Sequence, residues 1–330
     1  MHRPATAAAA IFALASLAAL PAPGGAATGP WFETPQGRVR LVSGRAVAAP
    51  DGDPALGVEF ALAPGWHVYW RNAGDAGYPP ELGSVEGSSL AAATLRFPAP
   101  SRFELPGDLV AFGYEHEVIY PLDARLAAAP GASAAPLRLR LDYLVCAETC
   151  IPYTADLGLE LPLGAPADDA EIAPRLAAWR SRLPLAAGTP GAPAVDGRLE
   201  SDAASALALV VTFAGDGLVA VAPDLFFDPH PLLAIGRPTF VASAAGPAFR
   251  VPLRPLDASK PLPDRIEVDW TATGFESEAR PVAFEGRLSL GRPADAAPAA
   301  TAPRVALAVA AVAVVFFILA RARRARPVEP

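Results

Sequence analysis

The sequence predicts an all-β protein, with two antiparallel β-sandwiches joined by a short helix and a linker, and with one C-terminal transmembrane helix. Three observations carry this prediction. Apolar and polar residues alternate in many short runs that end at Gly, Pro, Asn or Asp, which is typical of half-buried strands. Segment 168–183 instead has apolar residues at helical spacing. An apolar run at 305–320 is flanked by arginines. The 330 residues leave room for about two domains.

The composition restricts the class of protein and of partner. Because 52% of the residues are hydrophobic and only 18% are charged, the chain is not a disordered polymer. The formal net charge is −7, and no basic patch is interleaved with aromatic residues. We therefore expect no nucleic-acid partner.

The first 27 residues are typical of a secretory signal peptide. Met1-His2-Arg3 provides a short positive start, an apolar run follows from Ala7 to Leu20, and small residues lead to a cleavage site near Ala26 or Ala27. An uncleaved anchor is the alternative, although the run is short for a membrane span. We therefore expect the bulk of the chain to be exported.

The exported region divides into three parts. Residues 28–165 form the first predicted sandwich, 166–195 a helix and a linker, and 196–292 the second sandwich. Clear alternation occurs at 137–143 and 157–163 in the first, and at 207–213 and 266–270 in the second. The helix carries its apolar side chains at Ile172, Leu176, Trp179 and Leu183, with Asp168 or Asp169 placed to cap it.

The C-terminal end predicts a membrane anchor. Residues 293–303 form a Pro/Ala stalk, 304–320 the transmembrane helix and 321–330 an Arg-rich tail. The apolar helix would reach ~24 Å, slightly less than the ~30 Å hydrocarbon core, but flanking arginines can extend to the interface. Four arginines in the tail place it in the cytoplasm. We therefore expect a single-pass protein with a cytoplasmic C-terminus.

Cys146 and Cys150 are the two cysteines of the chain, separated by Ala147-Glu148-Thr149. The flanking strands carry apolar side chains at odd positions, whereas both cysteines are at even positions. If the strands pair as a hairpin, the cysteines lie opposite each other on the polar face, with Cβ atoms ~4.5–5.5 Å apart. The sequence thus predicts an adjacent and accessible pair. Pro152, or a bulge beside the loop, would shift this parity and bury one sulfur.

Three interpretations of the pair remain open. A redox pair needs one sulfur that a partner can attack. A structural disulfide is common in an oxidising compartment, but closing so short a loop contributes only ~2 kcal/mol. Metal binding would need more ligands, and none of His2, His67, His116 and His230 is beside the cysteines in sequence. We expect no cofactor and no complete metal site.

The charges near the cysteines favour attack by a docked partner. Asp142 and Glu148 flank the pair, and neighbouring carboxylates disfavour a thiolate. We therefore expect a pair that a partner docks onto and attacks, rather than a promiscuous reductant.

Four motifs, in the same order over about 90 residues, resemble one known family. They are GWHVYWRNAGDAGYPP at 65–80, FPAPSRF at 97–103, FGYEHEVIYP at 112–121 and DYLVCAETCIP at 142–152. They resemble the periplasmic N-terminal region of the disulfide-interchange proteins DsbD and, more closely, ScsB. The second sandwich resembles the same region of ScsB less distinctively, so the resemblance covers about 30 to 290.

The resemblance implies an immunoglobulin-like domain whose cysteine pair, here Cys146 and Cys150, receives electrons from a membrane-embedded thiol conveyor. Such a domain passes the electrons to periplasmic partners such as thioredoxin-like or cytochrome c maturation proteins. The family shields its sulfurs with an aromatic cap loop, and the matching stretch, 108–114, makes Phe112 the first cap candidate and Tyr114 the second. Tyr69, Trp70 and Tyr78 are further candidates for lining the site, although Trp66 and Trp70 have the parity of core residues.

Two functions follow as expectations. The family's polytopic conveyor and thioredoxin domain are absent from this sequence, so a separate conveyor would have to reduce the pair. We therefore expect an inner-membrane, single-pass, periplasmic thiol-disulfide exchange module. The alternative is a non-enzymatic immunoglobulin-like interaction or adaptor protein with a structural disulfide.

Overall fold

A computed structural model describes residues 27–201, 206–243, 246–278 and 280–291. The chain forms two compact units, with the boundary between Leu183 and Pro184. The predicted stalk, transmembrane helix and tail lie outside the described residues, as does the predicted signal peptide up to residue 26. Within the described ranges, no helix combines the length and the apolar character that a membrane crossing needs.

The described part of the chain is all-β apart from one helix, as the alternating pattern predicts. In chain order, the first unit contains β1 Phe32–Thr34, β2 Gly37–Ser43, β3 Arg45–Val47, β4 Leu56–Leu62, β5 His67–Gly74, β6 Glu81–Ser84, β7 Leu90–Leu95, β8 Ser101–Leu105, β9 Leu109–Glu115, β10 Glu117–Leu126, β11 Ala134–Cys146, β12 Cys150–Pro162, β13 Ala167–Asp168 and helix α1 Ile172–Arg180.

Two antiparallel sheets form the body of the first unit. One has the strand order β1-β2-β4-β10-β7, and the other has the order β12-β11-β5-β9-β8 with β6 also paired to β11. Phe60 of β4 packs edge-on against Tyr143 of β11, with ring centroids 5.1 Å apart. This contact joins the inner faces of the two sheets, so the core lies between them.

Helix α1 belongs to the first unit, whereas the sequence placed it in a segment between the sandwiches. The Asp169 carboxylate accepts hydrogen bonds from the backbone N–H groups of Glu171 and Ile172, at 3.0 and 2.8 Å, and so satisfies the first turn. The helix packs on β10. Arg175 pairs with the buried carboxylate of Glu59 at 2.5 Å. The buried apolar face of the helix and this ion pair hold it on the first unit.

The second unit is built on the same plan. Its strands are β14 Leu185–Ala186, β15 Ala194–Ser201, β16 Leu207–Ala214, β17 Leu218–Phe227, β18 Leu233–Ile235, β19 Thr239–Ser243, β20 Gly246–Pro255, β21 Arg265–Ser277 and β22 Arg280–Gly291. One sheet has the order β14-β22-β21-β17, and the other has β15-β16-β20-β18 with β19 paired to β20. Phe213 of β16 contacts Trp270 of β21 with ring centroids 5.4 Å apart, so this core also lies between two sheets.

Candidate functional site

The two cysteines close the hairpin of β11 and β12. The register is regular through Leu144↔Pro152 to the final pair, Cys146↔Cys150. The N–H of Ala147 donates to the carbonyl oxygen of Thr149 at 3.1 Å within the connecting loop. The cysteines form a disulfide, with Cα atoms 4.2 Å apart. The predicted hairpin and the predicted cross-strand pairing are confirmed.

The two sulfur-bearing residues differ in exposure. Cys150 is exposed, but Cys146 is only 1% exposed, so the prediction that both are accessible is wrong for Cys146. A bulge is not the cause, because the register runs without a shift past Pro152. The polar face of the hairpin is instead covered at this end by an apolar cluster. We call it the tip cluster; it contains Tyr69, Ala73, Ala111, Leu144 and Cys146, with Phe103 and Leu105 packed against it.

Tyr69 connects this cluster to the exposed sulfur. Its hydroxyl lies 3.6 Å from the Sγ of Cys150, and it is the donor because a disulfide sulfur carries no hydrogen. The side chain is fully buried, and burial raises the pKa of Tyr69. The hydroxyl therefore stays protonated over the range in which thiols exchange.

The loop at residues 75–80 seals the Tyr69 ring from outside. A Cβ atom at Gly77 would lie 2.2 Å from the Cζ of Tyr69, and this glycine has a φ of +99°. The loop is tied to β9 because the N–H of Asp75 donates to the carbonyl of Val110 at 2.8 Å, and the N–H of Val110 donates to the Asp75 carboxylate at 2.9 Å. Because Gly77 has no side chain, the backbone of the loop can lie directly on the Tyr69 ring.

His67 is the residue that the sequence analysis missed. It is the register partner of Cys146 on β5, and it is only 4% exposed. Its ring stacks on Phe103 and meets Tyr69 edge-on, with both centroid distances at 5.2 Å. Burial lowers the pKa of His67, and the Glu115 carboxylate partly opposes this effect. No pattern in the sequence places His67 next to Cys146, because the two residues are far apart along the chain.

Exposed acidic side chains lie on the hairpin that carries the disulfide, and Tyr78 lies near one of them. Asp142 and Glu148 are exposed, and Tyr78 is 40% exposed. Burial raises the pKa of Tyr78, and so do the carboxylates of Asp142 and Glu81. A partner that reaches Cys150 therefore meets the negative charge of Glu148 in the connecting loop.

Phe112 and Tyr114 are both buried in β9. The Arg102 guanidinium lies 4.8 Å from the Phe112 ring centroid, and the Tyr114 hydroxyl donates to the carbonyl of Pro98 at 2.6 Å. Because side chains alternate along a strand and the preceding residue, Ala111, belongs to the tip cluster, the rings of Phe112 and Tyr114 point to the opposite face of the sheet. The structure does not bring them against the sulfurs, and their capping role stays a prediction.

The other aromatic candidates take separate places. Trp70 is fully buried, as its parity predicts, whereas Trp66 is half-buried.

Within the described residues, no three His, Cys, Asp or Glu side chains are grouped as the ligands of a metal ion would be.

Comparison with known proteins agrees with this site. Residues 38–162 match the family model described as "Thiol:disulfide interchange protein DsbD, N-terminal". The first unit thus resembles the DsbD N-terminal domain. This confirms the resemblance expected from the four motifs, and it covers the DsbD-like hairpin with both cysteines.

Solved structures give a wider match. The N-terminal periplasmic domain of ScsB from Proteus mirabilis superposes with a TM-score of 0.61 at 21% identity, over 81% of this chain and 99% of that chain. At this identity the likeness shows the fold, and it extends over both units. Extracellular cadherin domains 1–4 of Protocadherin Gamma B7 match at a TM-score of 0.13 and 9% identity, over 78% of this chain and 92% of that chain, which supports no argument. No curated protein matches the chain.

Proposed function

We propose that the chain is a membrane-anchored periplasmic thiol-disulfide exchange module that works through Cys146 and Cys150. One observation carries the proposal: the disulfide joins an exposed residue to a buried one at the tip of a hairpin. Such a pair offers one sulfur to a partner and keeps the other from stray thiols. The match of this region to the DsbD N-terminal family supports the same chemistry.

The exposures assign a role to each sulfur. A thiolate of a donor protein attacks the Sγ of Cys150, so the new bond joins the donor to Cys150 while Cys146 leaves as the thiolate. A second thiolate of the donor then attacks its own mixed-disulfide sulfur. The donor ends as a disulfide and the chain as a dithiol, which holds two more electrons. The reverse sequence reduces an acceptor disulfide.

The partners and the membrane anchor are part of the proposal. We propose that a separate membrane thiol conveyor reduces the pair, and that periplasmic thioredoxin-like or cytochrome c maturation proteins oxidise it. The exposed carboxylates of Asp142 in β11 and of Glu148 in the loop before Cys150 favour partners with a positive docking face. The signal peptide, the helix at 304–320 and the cytoplasmic tail would hold two immunoglobulin-like units on the periplasmic side of the inner membrane.

Shielding of the buried sulfur would act through β9. Phe112 and Tyr114 anchor this strand from the core side, and Ala111, just before Phe112, packs in the tip cluster with Cys146. In this proposal the two aromatic residues protect the site by holding the strand that covers it.

The reduction potential of the disulfide tests the function. The purified full chain is equilibrated in graded glutathione buffers, and alkylation mass shifts count the free thiols. We expect a midpoint of about −180 to −270 mV, where exchange proteins operate. A midpoint below about −300 mV would indicate a structural disulfide and would favour the adaptor function.

Single substitutions test the assignment of the sulfurs. Cys146→Ser leaves the exposed thiol, and we expect it to accumulate a mixed disulfide with oxidised glutathione. Cys150→Ser, the matched control, leaves the buried thiol and should accumulate little. Equal trapping by both variants would contradict the assignment.

A further inference from the structure

Three side chains lie in one row across three neighbouring strands of the first unit. Cys146 of β11 is the register partner of His67 of β5, and His67 is in turn the register partner of Glu115 of β9. Directly opposed residues point to the same face of a sheet, with Cβ atoms ~4.5–5.5 Å apart. The row therefore places an imidazole between the buried sulfur and a carboxylate.

The packing keeps the imidazole on the side of the sulfur. Phe103 and Tyr69 both pack with Cys146 in the tip cluster, and both also contact the ring of His67. Stacking on one face and an edge contact on another leave the ring little freedom. The Nε2 atom is buried and makes no hydrogen bond with any described residue. A buried imidazole nitrogen without a partner is costly, which argues for a role that the resting disulfide does not use.

The sulfur itself needs a proton acceptor. When the disulfide opens, Cys146 becomes a thiol surrounded by the apolar side chains of Leu144, Ala111 and Phe103. A thiol in such surroundings ionises reluctantly, yet only the thiolate attacks a disulfide. The titratable groups that face His67 are Cys146 from β11, Glu115 from β9 and Tyr69 from its own strand, while β8 contributes the uncharged ring of Phe103.

We propose that His67 is the proton acceptor and donor for Cys146, and that Glu115 stabilises the imidazolium that forms. This inference rests on the proposed exchange function and adds the proton path to it. The exposed sulfur of Cys150 is assisted separately, by the hydroxyl of Tyr69.

The oxidation step then balances as follows. The Cys150 thiolate attacks an acceptor disulfide, a mixed disulfide forms, and one acceptor thiolate leaves. Cys146 gives its proton to the imidazole of His67, and its thiolate attacks the Sγ of Cys150. The mixed disulfide breaks, the Cys146–Cys150 bond forms, and the second acceptor thiolate leaves and takes the proton from the imidazolium. Two electrons pass from the dithiol to the acceptor.

Burial and charge set the pH range of this path. The lowered pKa keeps the imidazole neutral at neutral pH, as a proton acceptor must be. The exposed carboxylate of Glu115 acts in the opposite direction and limits the lowering. Glu115→Gln should therefore shift the imidazole inflection to a lower pH.

The test follows the two steps separately with the aromatic disulfide dithiobis(nitrobenzoate) as the probe. The reduced full chain releases one coloured thiolate when Cys150 attacks and a second when Cys146 resolves the mixed disulfide. We expect His67→Gln to slow the second release on the order of 100-fold near neutral pH and to leave the first release unchanged. The difference in rate should disappear at alkaline pH, where the Cys146 thiol ionises without a neighbouring base.

His230→Gln is the matched control, because it makes the same exchange in the second unit and should leave both releases unchanged. Circular dichroism and an unchanged first release show that His67→Gln is folded. Glu115→Gln changes an exposed residue of the same row, and its expected result is the shift of the imidazole inflection to a lower pH. An unaltered second release with an unaltered pH profile in His67→Gln would overturn the role of His67 while leaving the exchange function intact. A wild-type potential in the structural range would instead contradict the exchange function, whatever His67 does.

Discussion

Each unit contains one long hairpin, and the two hairpins differ at their closed ends. The hairpin of β11 and β12 ends in the disulfide, under the tip cluster. The hairpin of β21 and β22 ends at Ser277↔Arg280 with no covalent link, and its register shifts between Ala272 and Phe275. The second hairpin shows that strands of this length pair in this architecture without a disulfide. Strand pairing alone therefore does not explain the bond in the first unit.

The largest loss of stability is expected from a substitution in the core of the second unit, next to its long hairpin. Trp270→Ala deletes a side chain that is 1% exposed and contacts Phe213, and we expect the second unit to lose about 3–5 kcal/mol of unfolding free energy. The first unit should keep its stability and its reduction potential. Hydrogen exchange with mass spectrometry separates the two units during urea unfolding. A parallel loss in the first unit would show that the hairpins are not independent.

The second largest effect is expected when the disulfide, which only the first of the two hairpins contains, is removed. Cys146→Ser combined with Cys150→Ser should lower the unfolding free energy of the first unit by about 2 kcal/mol, because the closed loop is short. All mixed-disulfide formation with oxidised glutathione should disappear. The same urea experiment measures the stability. Complete unfolding of the first unit would make the disulfide structural and would favour the adaptor function.

The third expected effect is a pH dependence of the stability of the first unit, which carries His67. In the unfolded chain an imidazole binds a proton below its ordinary pKa of 6.5, whereas burial keeps His67 neutral to a lower pH. The unfolded state then binds more protons, so the stability of the first unit falls as the pH drops from 6.5 toward the lowered pKa. Urea unfolding at several pH values should show that His67→Gln removes this part of the fall. An identical slope in both proteins would contradict the burial of a neutral imidazole.

The smallest expected effect concerns the solvent-facing ion pairs of the two hairpins. Arg140 pairs with Asp156 across the first hairpin at 3.1 Å, and both side chains are exposed. Arg140→Ala should cost less than about 1 kcal/mol, because water screens such pairs. Arg287→Ala, which removes the contact with Asp269 in the second hairpin, is the counterpart, and its unfolding curve should overlay that of the wild type. A large loss in either variant would show that the polar face contributes more than its exposure suggests.

Local patterns predicted most of the first hairpin. The odd positions of 137–143 and 157–163 are apolar, and this alternation matches the burial observed from Leu137 to Leu161. Hairpin neighbours meet through a short loop, so their register follows from the turn, and this placed Cys146 opposite Cys150. The same local logic predicted the capping aspartate of α1, now Asp169.

The contacts that decide reactivity lie between distant segments. Tyr69 and Cys150 are 81 residues apart in sequence, yet their side chains meet at 3.6 Å. The alternation of β5 shows which of its residues share a face, but not which strand lies beside it, so His67 could not be placed opposite Cys146. The sequence by itself determined the all-β class, the hairpin and the cysteine pair, because these depend on neighbours along the chain. Only the tertiary structure decided that Cys146 is buried, that Cys150 is exposed and that His67 is the register partner of Cys146, because strands distant in sequence cover one end of a face that is polar elsewhere.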